Sequence, residues 1–248
     1  ASGRETASRV AGGAVAKLVL DKMGIDVIGF ISASHGIKAK PITYETAKEN
    51  YRKNELNCPD LETAPKMIED ILKVKAAGET CGGIVEIIAK GVPAGLGEPV
   101  FDKLEATIAH GLMSIGAIKG IEFGAGFDMA NMLGSESNDE SYVDKTTGRV
   151  RFSTNNAGGF LGGISNGEEI RIKLAVKPTP TVSVAQNAVN VEKMEVETLS
   201  PITRRDASLL PRIYPVCEAM VRIAILDAII MAKGYRSVTD IDEKWDRM

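Results

Sequence analysis

Apolar residues first recur at helical spacing in residues 5–22, where Val10, Ala14 and Leu18 form a stripe, Glu5 sits in the first turn and Gly24 follows as a stop. Residues 25–33 are short, apolar and β-branched, which predicts a buried strand feeding a loop at 35–40. A second helix is predicted from Thr63 as its cap, with Pro65 in the first turn, Met67, Ile68, Ile71 and Leu72 on one face, and Gly78 beyond its end. Residues 83–90 alternate, Val85, Ile87 and Ala89 pointing one way and Glu86 and Lys90 the other. Leu104, Ile108 and Leu112 mark a third helix and residues 117–123 a strand. The polar, turn-rich stretch 134–147 is expected to be a mobile loop. Ile170, Ile172, Leu174 and Val176 alternate with charged residues in a strand with one wet face, ended by Pro178 and Pro180. A last helix is expected over about 215–233, stopped by Gly234; the tail through Trp245 has no core pattern. This order suggests an α+β or layered α/β domain without an evident linker.

Composition narrows the function classes. The 248 residues carry 30 Lys and Arg against 33 Asp and Glu, a net charge of −3, so the whole surface offers no attraction to nucleic acid or anionic lipid and any basic site is local. The most apolar stretch, 216–232, is interrupted by Glu218, Arg222 and Asp227, which reads as a buried helix and not a membrane span. Cys58, Cys81 and Cys217 form no CxxC pair and leave one unpaired, as expected of reduced thiols in the cytoplasm, and no metal site is expected. The chain opens at Ala1 with neither Met nor a targeting pattern, so it is read as processed or incomplete.

Several motifs are candidates for chemistry. Gly124-Ala125-Gly126 with Ala130 follows a strand and begins like a dinucleotide fingerprint, which would make the chain an NAD-dependent oxidoreductase, although the stretch after it does not complete a βαβ unit. His35 and His110 have no carboxylate or cysteine at ligand spacing. Residues 155–167 hold five glycines in ten positions, a wall that lets backbone N–H groups approach a ligand; the same stretch also reads as a flexible hairpin turn. Lys177-Pro178-Thr179-Pro180-Thr181 presents a cation and two hydroxyls on a stiffened backbone, suited to a phosphate. In Thr203-Arg204-Arg205-Asp206, Arg204 can clamp a carboxylate or phosphate and keep Asp206 ionised as a base, or the cluster is a solvated turn. Ser2 and Arg4 flank the start of the first helix, where an anion is favoured; a capping box between Ser2 and Glu5 competes with that reading.

Taken together and in order, Ser2-Gly3-Arg4-Glu5-Thr6-Ala7, Cys81-Gly82-Gly83, the run 91–104 (GVPAGLGEPVFDKL), Met113-Ser114-Ile115, residues 155–167 and Lys177-Pro178-Thr179-Pro180 resemble the chorismate synthase family over nearly the whole chain. The resemblance implies a single α+β domain over 1–248, a layered β-α-β sandwich of antiparallel sheets with helices between, in a homotetramer. It implies a lyase of aromatic amino acid biosynthesis that converts 5-enolpyruvylshikimate 3-phosphate to chorismate and phosphate by anti-1,4-elimination. Reduced FMN is required without net redox change, with NADPH as a candidate reductant. In the family, positions matching Ser2, Gly116, Ala117, Gly162, Lys177, Pro178, Thr179, Pro180, Thr181 and Arg204 hold the flavin. Arg4 and Arg204 match residues that meet the anionic substrate, and Asp206 matches the one associated with proton removal, relayed through the flavin.

Two departures accompany the resemblance. Arg205 stands where the family usually has His, and Thr203 where it has Gly. The family also has a portion ahead of the matched serine, with two acid histidines and further arginines; His35 and His110 match neither histidine. The chain is therefore expected to be N-terminally incomplete and to turn over little alone. A flavin- or phosphate-binding fragment without catalysis is the alternative reading. Substrate and FMN together bring two phosphates and two carboxylates into one cavity, so Arg4, Lys177, Arg204 and Arg205 are expected to concentrate there.

Overall fold

The computed structural model describes residues 3–202 and 206–234. A 3-10 turn at Gly3–Glu5 leads into α1 (Thr6–Lys22), β1 (Asp26–Ser34), β2 (Ile37–Lys38), α2 (Tyr44–Asn50), α3 (Ala64–Ala76), β3 (Gly83–Lys90), α4 (Leu104–Met113) and β4 (Ile118–Phe123). A second 3-10 turn, Gly126–Asn131, precedes α5 (Gly134–Ser137), β5 (Ser141–Asp144), β6 (Arg149–Phe152), β7 (Phe160–Leu161) and β8 (Ile164–Ser165). β9 (Ile170–Val176), β10 (Gln186–Asn190), β11 (Glu195–Leu199) and α6 (Leu210–Lys233) complete the order.

The five-stranded sheet runs β2-β1-β3-β9-β4, every pairing antiparallel, and α1, α4 and α6 lie against it as a second layer, which is the expected α+β class. Alternation builds the core between the layers. Val85, Ile87 and Ala89 of β3 and Ile170, Ile172, Leu174 and Val176 of β9 join Leu104, Ile108 and Leu112 of α4 and the buried face of α6. β1 is buried on both sides, because Ile28 and Phe30 are covered from the opposite face by Ile42, Tyr44 and Ala47. The other ladders among the described residues are the two-stranded pairs β5-β6, β7-β8 and β10-β11.

Several elements depart from expectation for identifiable reasons. The Val10, Ala14 and Leu18 stripe of α1 faces outward, and the inward face is Gly13, Ala16 and Leu20. Helix α6 runs alongside so closely that a Cβ on Gly13 would lie 2.4 Å from the Ala219 Cβ, so small residues, not large ones, mark the packed face. Thr63 holds the N-cap position of α3, but its side chain makes no capping bond. Asp60 instead organises the turn that leads into the helix, accepting from the Glu62 and Thr63 N–H groups at 3.1 Å, from the Thr63 hydroxyl at 2.7 Å and from the Lys40 N–H at 3.0 Å. Desolvation works against its charge, but the four donors outweigh it and hold Asp60 down to about 2.

The polar stretch 134–147 contains α5 and most of a hairpin whose turn Asp144 closes, accepting from Thr146 N and the Thr147 hydroxyl. β4 pairs antiparallel with β9 and runs into a 3-10 turn, so the dinucleotide fingerprint has no βαβ unit and the NAD reading falls. Helix α6 starts at Leu210, with Pro211 in its first turn and Pro215 inside it; Gly234 closes it at φ 66° as expected. The three cysteines are buried and unbridged. No described helix is long and apolar enough to cross a membrane.

Two measurements check this reading. Gly13→Ala, a change that in an open helix stabilises by about 0.5–1 kcal/mol, should instead lower stability in urea titration by about 1–3 kcal/mol because the added methyl overpacks the α1–α6 contact. An unchanged or raised midpoint would contradict it. Asp60→Ala should cost about 1 kcal/mol near pH 7. Because the folded value lies below the ordinary 3.8, the unfolded chain takes up the proton first, so the gap between the two proteins should shrink as pH falls from about 4 through 2.

Candidate functional site

One end of the helix layer closes on a cavity of about 430 Å³ lined by Gly3, Glu5 and Thr6, by Ser114-Ile115-Gly116, and by Asp206, Leu209, Arg212, Ile213 and Val216. α1 and α6 run in the same direction here and both begin at this cavity, so two helix N-termini supply positive potential to it. α4 brings its negative C-terminal end to the same place. Arg9 neutralises that end: its guanidinium donates to the Ser114 hydroxyl at 2.6 Å and to the Ser114 carbonyl at 3.5 Å while pairing with Glu5 at 3.0 Å. Neither Gly3 nor Gly116 has any atom within 4 Å of where a Cβ would stand, so the backbone is bare on the cavity wall.

The motifs singled out by sequence meet here in part. Ala117 adopts φ 76°, a left-handed conformation that costs an alanine on the order of 1 kcal/mol, and its carbonyl accepts the Lys177 N–H at 2.9 Å. The strip of Lys177, Pro178, Thr179, Pro180 and Thr181 is thereby laid beside Gly116. Thr179 continues the connection, its hydroxyl donating to the Asp206 carbonyl at 2.9 Å while its own carbonyl accepts from Thr80 at 2.7 Å. Gly116, Ala117, Lys177, Thr179 and Asp206 are thus joined by hydrogen bonds and chain neighbours, and of these Gly116 and Asp206 face the cavity. Arg4 sits in the 3-10 turn between two residues that line the cavity. Ser2 and Arg204, like Arg205, lie outside the described residues.

Gly162 is elsewhere in this chain. It turns the β7-β8 hairpin at φ 59° and lines a separate depression of about 530 Å³ with Lys103, Phe127 and Gly163. The glycine-rich segment around it is tightly held. Asp139 accepts from the Thr154 hydroxyl at 2.6 Å, Asn156 N at 2.7 Å and Ala157 N at 2.9 Å; these bonds outweigh desolvation and lower its carboxyl. The buried Ser165 hydroxyl accepts from Leu96 N at 2.8 Å and donates to the Pro93 carbonyl at 2.6 Å, pinning residues 91–97 to this segment.

A larger cleft of about 1020 Å³ opens at the opposite end of the sheet. Lys90, Arg151 and Arg171 line it, but Glu45, Glu168 and Glu169 pair with them in that order. Most of its cations are satisfied internally.

A family model described as chorismate synthase matches residues 1–230. The chain belongs to the chorismate synthase family. A chorismate synthase of Acetivibrio thermocellus is 66% identical over 250 residues, covering 100% of this chain and 64% of that protein, and one of Methanosarcina acetivorans is 48% identical over 229 residues, 92% and 62%. A solved chorismate synthase crystal structure superposes with a TM-score of 0.79 at 33% identity, covering 94% of this chain and 65% of that one. The chain thus spans a little under two thirds of the length of these chorismate synthases.

Sequence reasoning missed two groups. Asp70 lies 2.8 Å from His35 Nδ1, a partner 35 positions away that spacing rules cannot reveal. Arg212 lies ahead of the expected helix limits of about 215–233, and the earlier start of α6 at Leu210 puts it in the first turn, on the cavity.

Proposed function

We propose that the protein carrying this chain acts as a chorismate synthase, removing phosphate from 5-enolpyruvylshikimate 3-phosphate by anti-1,4-elimination with reduced FMN. The observation that carries the reading is that Gly116 and Asp206 line one cavity and are joined behind it through Ala117, Lys177 and Thr179, in a chain of this family.

The residues present fit a flavin. Ile115, Leu209, Ile213 and Val216 offer apolar surface to a ring system, and the bare backbone at Gly3 and Gly116 leaves room for one to approach. Ser2, Gly116, Ala117, Lys177, Pro178, Thr179, Pro180, Thr181 and Arg204 hold it in this reading, whereas Gly162, matched by resemblance, faces a separate depression. Reduced FMN, when bound, supplies electron density to the allylic system as phosphate leaves. Arg4 and Arg204 hold the substrate's anionic groups, and the two helix N-termini lower the cost of gathering that negative charge. Asp206 is the carboxylate on which the substrate proton finally rests. The resting assembly is a cytoplasmic homotetramer, with NADPH as the flavin's reductant.

The test is anaerobic phosphate release by the full-length protein with reduced FMN. Release is expected for the wild type and should fall at least a hundredfold in Asp206→Asn while FMN affinity, read by fluorescence titration, stays within about twofold. Gly116→Val should show the reverse order of effects, weakening FMN at least tenfold. No phosphate release by the wild type would defeat the reading, and wild-type turnover by Asp206→Asn would remove that residue from it.

A further inference from the structure

Asp206 is held twice, once through its backbone and once through its side chain. The backbone is fixed by donation from Thr179 Oγ1 to its carbonyl and, one residue on, from Cys81 N to the Ala207 carbonyl at 2.8 Å. Among the described residues the side chain is held by Arg212 alone, whose Nη1 donates to Oδ2 at 2.7 Å. Among the described residues, Oδ1 has no partner.

Folding gives Arg212 little reason to be there. Its side chain is 71% exposed and that of Asp206 38%, and ion pairs so exposed contribute little to stability. Arg212 also occupies the first turn of α6, the positive end of the helix dipole, where a cation is disfavoured. Both partners nevertheless line the cavity that begins at the N-termini of α1 and α6.

We propose that Arg212 is a positioning residue for Asp206. Engaging Oδ2 fixes the carboxylate rotamer against the cavity wall and leaves Oδ1 as the oxygen that receives the substrate proton. The fork geometry of a guanidinium suits this task, since one edge can hold a carboxylate oxygen in a defined plane. The inference rests on Asp206 being the proton acceptor.

A double-mutant cycle separates the two ideas. Phosphate release with reduced FMN is measured for the full-length wild type, Arg212→Gln, Arg212→Lys, Asp206→Asn and the Asp206→Asn, Arg212→Gln double variant, alongside FMN titration and thermal melts. Arg212→Gln should lower kcat at least tenfold with substrate KM and FMN Kd within about threefold. Arg212→Lys should recover part of kcat, because the charge survives and the fork does not. In the Asp206→Asn background, Arg212→Gln should cause no further loss. Undiminished kcat in Arg212→Gln, a loss confined to KM, or an additive loss in the double variant would overturn the positioning role even with Asp206→Asn inactive. Wild-type kcat in Asp206→Asn would instead overturn the reading of Asp206 beneath it.

Discussion

The contact between Gly13 of α1 and Ala219 of α6 is the constraint on which the rest of the site depends. Two helices can lie this close only where one contributes no side chain, and the absence of a Cβ at Gly13 meets that condition. The contact sets the axial offset of the pair, so that the turn before α1 and the first turn of α6 reach the same cavity. The Ser114–Gly116 segment after α4 reaches the same cavity, and the Lys177 strip after β9 is tied to it from behind through Ala117 and the Asp206 carbonyl.

Electrostatics at the cavity follow from helix direction more than from composition. A chain with net charge −3 has no general positive field, yet two helix starts converge here and the one helix end that opposes them is covered by Arg9. Arg9 also ties α1 to the end of α4. The basic groups of the large cleft at the far end of the sheet are mostly spent on neighbouring carboxylates, so similar residues have different consequences at the two ends.

The longer strands of the main sheet were legible because alternation and apolar runs report burial directly: β3 matches its expected limits and β9 its expected faces, whereas the two-residue β2 falls within the expected loop at 35–40. The inward face of α1 was not, since hydrophobic size marks a face only when there is space to fill, and at Gly13 there is none. The cap of α3 was legible in position but not in its bonds, because Thr63 has the right chemistry at the helix boundary while Asp60 acts one turn earlier through a loop. The β5-β6 and β10-β11 hairpins bury little on either face and so leave no periodic trace. At the site, the Lys177 strip and Asp206 could be singled out by type and resemblance. Their junction through Thr179 could not, because a hydroxyl reaching a carbonyl 27 positions away has no sequence spacing of its own.

Ser165 has a consequence for how the two glycine-rich segments can vary. One hydroxyl serves both Leu96 N and the Pro93 carbonyl, and backbone bonds from Gly95 N to the Ser165 carbonyl and from Ser165 N to the Leu96 carbonyl complete the join. Residues 91–97 and 158–167 are therefore a single mechanical part made from two distant stretches of chain. A loop transplanted from a relative into one of them would meet the unaltered half of a matched fitting, and the two stretches should be exchanged together.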